Sequence, residues 1–182
     1  MAMFRFLAKV GAKPDENILR DVLESRCDSI DKLRAAKTLI NRNLTQPAHL
    51  HTALAILGCS RLYRPGSTRL IKFLIKKGAW VSWTDLQLLT TSSTVMVEET
   101  ALLEVLHACL AEDQKSAETL REDPVAYAEK KAYALQATIL CAQKWEYWKL
   151  LKVAVRQEGV DLNWSKLPNE QSVLAHIIKG RS

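Results

Sequence analysis

The chain has 182 residues, a length that suits one compact domain or one short solenoid. Its 48% hydrophobic content is enough for a core, and only 6 glycines and 5 prolines interrupt it, so long ordered elements are expected. The net charge of +6 and pI of about 9.2 permit an acidic protein, a membrane surface or nucleic acid as partner but require none. No apolar run approaches the roughly 18–20 residues of a membrane span. Met1 to Val10 carries Arg5 and Lys9 but lacks the apolar stretch and cleavage site of a signal peptide. Cys27, Cys59, Cys109 and Cys141 form no CxxC pair. They are read as buried free thiols in a reducing, intracellular compartment, cytoplasmic or nuclear.

Phe6 to Pro14 has the form of an apolar helix end, then Gly11-Ala12, then an extended piece, with Phe4, Phe6, Leu7 and Val10 sharing a face. Asp15-Glu16 places acids in the first turn of a helix running to about Cys27, with Ile18, Val22 and Leu23 inward. Asp28 or Ser29 caps another over about Ile30 to Arg42, with Leu33, Ala36, Leu39 and Ile40 inward. Asn43, the next best residue to glycine for a left-handed cap, follows it. A helix over Leu50 to about Leu62 comes next, broken by Arg64-Pro65-Gly66-Ser67. Thr68 to Lys77 is a strongly amphipathic helix. Leu70, Ile71, Phe73, Leu74 and Ile75 form its apolar side, and Arg69, Lys72, Lys76 and Lys77 take the wet side. Gly78 can close it in a left-handed conformation, and an extended piece from Ala79 to Ser82 leads away. Gly11, Asn43 and Gly78 are spaced 32 and then 35 residues apart, which points to a repeat.

Thr84 to Thr90 reads as a short helix with Leu86, Leu88 and Leu89, and Thr91 to Thr94 as a loop. Glu98-Glu99 open a helix to about Ala111, with Leu102, Leu103, Leu106, Cys109 and Leu110 inward. Asp113-Gln114 sits near the next expected turn, within a polar loop over Glu112 to Asp123. Asp123-Pro124 is a cap followed by proline in the first turn. The series Ala128, Ala132, Leu135, Ile139, Ala142 extends that helix to about Lys144. Trp145 to Arg156 follows, with Trp148, Leu151 and Val155 on one face, and then Glu158 to Asn163 and Glu170 to Ile178.

Thr52-Ala53-Leu54-Ala55-Ile56-Leu57 resembles the ankyrin signature Thr-Pro-Leu-His-x-Ala, and Leu70 to Ala79 resembles that family's second helix and Gly-Ala turn. Gly159-Val160-Asp161-Leu162-Asn163 resembles its Gly-Ala-Asp-Val-Asn turn, and Ser172 to Ile178 its signature again. Ala53 and Ala55 replace the proline and histidine, and the turn around Pro65 is longer, so the repeat is a divergent one. The resemblance implies an all-α solenoid of stacked helix-turn-helix units over 1–182, about four full units with partial units at both ends. Beginning on a second helix and stopping after a first one is expected either of specialised end caps or, the favoured reading, of a segment of a longer repeat protein.

Ankyrin-type units imply a non-catalytic module that presents a groove and finger turns to another protein. Trp83 and Trp164 occupy the same slot, five residues after Gly78 and Gly159, and Trp80 lies in the first finger. They are candidate anchors. The competing reading packs the Trp83 and Trp164 rings against the next helix. Arg69, Lys72 and Lys76, with Arg61, Arg64 and Lys77 near them, form a basic patch fit for an acidic partner segment; a solvated helix face is its bland alternative. The same patch carries the alternative of binding nucleic acid or an anionic surface. Trp145, Tyr147 and Trp148 read as core and edge. No phosphate loop, nucleophile elbow or zinc-protease motif occurs, so no catalytic residue, metal or cofactor is expected. His49-x-His51 and His107-x-Cys109 would point to different helix faces.

Overall fold

The computed structural model describes residues 18–25, 27–42, 45, 50, 51, 53, 67–91, 97–116, 123–158 and 160. Among these the regular structure is entirely helical. The chain divides into two compact units, Met1–Val81 and Ser82–Ser182.

In the first unit α1 spans Ile18–Glu24, α2 Ser29–Asn41 and α3 Thr68–Lys76. Leu19, Val22 and Leu23 of α1 are buried, as are Ala35, Ala36, Leu39 and Ile40 of α2. The α2 N-terminus is capped as expected: the Asp28 carboxylate accepts from the Asp31 amide at 2.7 Å. One buried residue breaks the pattern. Lys32 is only 6% exposed, and its Nζ donates to the Leu23 carbonyl at 2.5 Å. That carbonyl lies in the last turn of α1, where the helix has no partner for it and where a cation is favoured. This lysine therefore ties two helices together. Residues 50, 51 and 53 are helical, and Leu50 and Ala53 are buried.

Helix α3 packs against α2 through Leu70, Ile71 and Leu74, all essentially inaccessible. Its end is a Schellman motif. The Ala79 amide donates to the Leu74 carbonyl and the Gly78 amide to the Ile75 carbonyl, both at 3.0 Å. Gly78 has φ +93°, the positive-φ conformation expected of it.

In the second unit α4 spans Trp83–Thr91, α5 Glu99–Ser116, α6 Pro124–Lys144 and α7 Trp148–Ala154. Helices α5 and α6 both pack on α4, and both pack on α7, so the four close around one core. Leu86 and Leu89, Leu102, Val105 and Leu106, Leu135 and Ile139, and Leu150 and Leu151 fill it. The second half of α6 is buried all round, from Ala134 to Ile139 and again at Cys141 and Ala142. Its buried Thr138 hydroxyl is satisfied by donating to the Ala134 carbonyl at 2.7 Å.

Several expectations are corrected here. Helix α5 does not stop at Ala111; it continues through Asp113 to Ser116, because Asp113 is held by side chains from α4 and α6 rather than released into a loop. The α6 series faces the core only in its later half: Ala128 is exposed and Ala132 half-buried. Leu88, 41% exposed, points away from the core of α4. Trp148, placed in the core series, is 50% exposed. The expected helix from Trp145 is interrupted by a second Schellman closure, with the Tyr147 amide donating to the Ala142 carbonyl at 2.8 Å. Glu146 occupies its left-handed position at φ 58°. Glutamate gave no sign of a role that glycine usually fills.

Candidate partner-binding face

The sequence singled out two kinds of residue, finger tryptophans and a basic helix face. The structure places them differently.

Trp83 opens α4. Ser82 caps this helix reciprocally: its amide and hydroxyl donate to the Asp85 carboxylate at 2.8 and 2.6 Å, and its Oγ accepts from the Asp85 amide at 3.2 Å. That entry turns the Trp83 ring inward, where it is 3% exposed. Its Nε1 donates to the Tyr127 hydroxyl at 2.8 Å and to Asp113 Oδ1 at 3.1 Å. The Tyr127 hydroxyl in turn donates to Asp113. Lys131 Nζ lies 2.9 Å from Asp113 Oδ2 and 5.5 Å from the centroid of the indole. Trp83 is thus the hub of a polar cluster joining α4, α5 and α6, and not a presented anchor. The packing alternative describes it. Trp164 lies outside the described residues, as do Arg61 and Arg64.

Cys109 sits beside this cluster, with its thiol donating to the Ser82 carbonyl at 3.4 Å. Burial pushes its pKa well above the ordinary thiol range, and the Asp85 and Asp113 carboxylates add to the effect. Such a thiol stays protonated and is a poor nucleophile. His107 is exposed while Cys109 is buried, so the two do not converge. Among the described residues no group of three His, Cys, Asp or Glu side chains is placed to hold a metal ion. Among them, too, no helix is long and apolar enough to cross a membrane.

The first unit carries the other candidates. Arg69, Lys72 and Lys76 are all exposed on the face of α3 opposite Leu70, Ile71 and Leu74, and α3 contains no acidic residue. Lys77, also exposed, follows at the cap position. Phe73 is half-buried on the same helix. The Lys77 ammonium lies 5.8 Å from its ring centroid, and that of Lys37, reaching from α2, lies 5.6 Å from it. Lys37 was not singled out from the sequence, because nothing in the spacing joins it to α3.

Beyond Gly78, Trp80 is 51% exposed. The His51 ring stacks on it with centroids 3.6 Å apart and planes 13° from parallel. A carbonyl only accepts, so the 3.0 Å contact between His51 Nδ1 and the Trp80 carbonyl makes Nδ1 the protonated nitrogen. The stack and this bond hold the indole outward with one face covered. The arrangement is therefore a cationic helix face followed by a fixed, half-exposed indole. Comparison with family models, with curated proteins and with solved structures finds no match for this chain.

Proposed function

We propose that this chain is a non-catalytic protein-binding module, built of stacked, divergent ankyrin-like helix pairs, that takes a partner protein on α3 and the turn after it. One observation carries the reading. Helix α3 buries Leu70, Ile71 and Leu74, turns Arg69, Lys72 and Lys76 to solvent, and closes on a positive-φ glycine beyond which Trp80 stands half-exposed. Large exposed aromatics beside cations are frequent binding anchors. Cys109 and Cys141 are buried free thiols, whereas Cys27, expected inside as well, is an exposed one; free thiols suit an intracellular setting.

The test compares the immobilised full chain with Trp80→Ala and with Lys72→Ala/Lys76→Ala. A partner protein retained by the parent chain is expected to be lost from both variants while their melting temperatures stay close to the parent's. Retention unchanged by either variant refutes the assignment of this face. Steep, salt-dependent binding to duplex DNA, with no protein retained, would replace it by the nucleic-acid alternative.

A further inference from the structure

The two lysines over Phe73 define the partner more closely than the row along α3 does. Lys37 and Lys77 come from different helices, yet both ammonium groups lie within 5.8 Å of one ring centroid. Among the described residues neither is paired with a carboxylate. The two charges add to the positive potential around this ring, which favours an anion placed beside Phe73. With Arg69, Lys72 and Lys76 alongside, the cations form a two-helix cradle around Phe73.

Building on the protein-binding reading, we infer that this cradle takes a short acidic stretch of a partner polypeptide, laid in extended form across Phe73 toward Trp80. Its size matches. At ~1.5 Å per residue, the cations from Arg69 to Lys77 span about 12 Å of helix. That is about four residues of extended chain at ~3.3 Å each. The charge pattern also limits the occupant. Lys37 lies in the later half of α2 and Arg42 caps its end, whereas exposed Asp28 caps its start and Asp31, paired with Arg34, lies in its first turn. A long polyanion that also reached the start of α2 would meet those carboxylates, whereas an acidic peptide of about four residues is short enough to contact the cradle cations alone. The half-buried ring adds an apolar floor that suits the methylene groups of glutamate side chains.

The experiment measures fluorescence anisotropy of the full chain with three labelled probes: a glutamate hexamer, a glutamine hexamer and a thymidylate hexamer. The glutamate probe is expected to bind, to weaken with added salt, and to bind more tightly than the other two. In Lys37→Gln/Lys77→Gln its affinity is expected to fall roughly tenfold, the loss of two exposed ion pairs, with the helical circular dichroism unchanged. Equal affinity in parent and variant overturns the cradle. Tighter binding of the thymidylate probe overturns the acidic-peptide assignment in favour of single-stranded nucleic acid. A protein partner that requires Trp80 but is neither displaced by the glutamate probe nor weakened in Lys37→Gln/Lys77→Gln sinks this inference alone and leaves the binding-module reading standing.

Discussion

Replacing Trp83 distinguishes a structural tryptophan from a presented one. In Trp83→Ala the whole indole leaves a site that is 3% exposed, and large-to-small changes of this kind cost about 3–5 kcal/mol. For a chain of this length that lowers the melting temperature by roughly 6–20 °C. Trp83→Phe separates the two contributions to that loss. It keeps most of the apolar ring but removes the Nε1 donor shared by Tyr127 and Asp113. Tyr127 and Asp113 still bond to one another, and Lys131 still pairs with Asp113, so no buried group is stranded. The expected cost is therefore about 1–2 kcal/mol. Trp80→Ala is the control, because its ring is 51% exposed and its loss should stay within about 1 kcal/mol. Urea unfolding followed by far-ultraviolet circular dichroism measures all three. A Trp83→Ala variant within about 0.5 kcal/mol of the parent would refute the hub and restore Trp83 as an exposed anchor.

The two Schellman closures predict shifts of opposite sign. At Gly78, φ is +93° and an added Cβ meets no neighbour within 4 Å, so Gly78→Ala is destabilised by the left-handed backbone conformation alone, about 1–2 kcal/mol. At Glu146, φ is 58°, so Glu146→Gly relieves a left-handed L-residue and is expected to stabilise by about 0.5–1 kcal/mol. Shifts of the same sign in thermal unfolding would contradict the cap assignments. The buried thiols make stability fall at alkaline pH. Burial raises the Cys141 thiol from 9.0 to about 11, against a smaller opposing pull from Lys144, and raises Cys109 further. The unfolded chain releases these protons near 9.0 while the folded one keeps them, so the contribution is intact below pH 9 and is lost above it. The loss runs at about 1.4 kcal/mol per pH unit for each thiol, until the folded thiol itself ionises. A Cys109→Ala/Cys141→Ala variant should show a correspondingly shallower decline in urea titrations above pH 9, and an identical slope would refute it.

Much of the helical framework was legible from local signals. Asp123-Pro124 marked the start of α6, and the Asp123 carboxylate accepts from the Val125 and Ala126 amides at 3.0 and 3.1 Å. The amphipathic pattern of α3 and its glycine stop were equally plain. These signals are local because a cap or a 3.6-residue period is complete within one or two turns of chain. The candidate site was legible in part: the outward cations of α3 and the place of Trp80 in the turn after it follow from the pattern, but the exposure of Trp80 and the partnership of Lys37 with Phe73 do not. Nor did any spacing rule indicate that His51 would stack on Trp80.

The sequence by itself determined that the described segments are helical, where most of their helices begin, and which side of α3 is wet. The tertiary structure decided what those helices do to particular polar groups. Helix α7 has Tyr147 at its N-terminus, a residue without a capping side chain, and its free amides are satisfied from another helix: Glu99 Oε1 accepts from Lys149 and Leu150 at 2.8 and 3.1 Å. Lys32 goes inside because the Leu23 carbonyl needs a donor there. Asp113 stays helical because Trp83, Tyr127 and Lys131 converge on it. In each case a polar group has no partner within its own turn, and burying it unpaired costs on the order of 1–3 kcal/mol. The partner is supplied by a residue distant in sequence, which only the folded chain brings within reach.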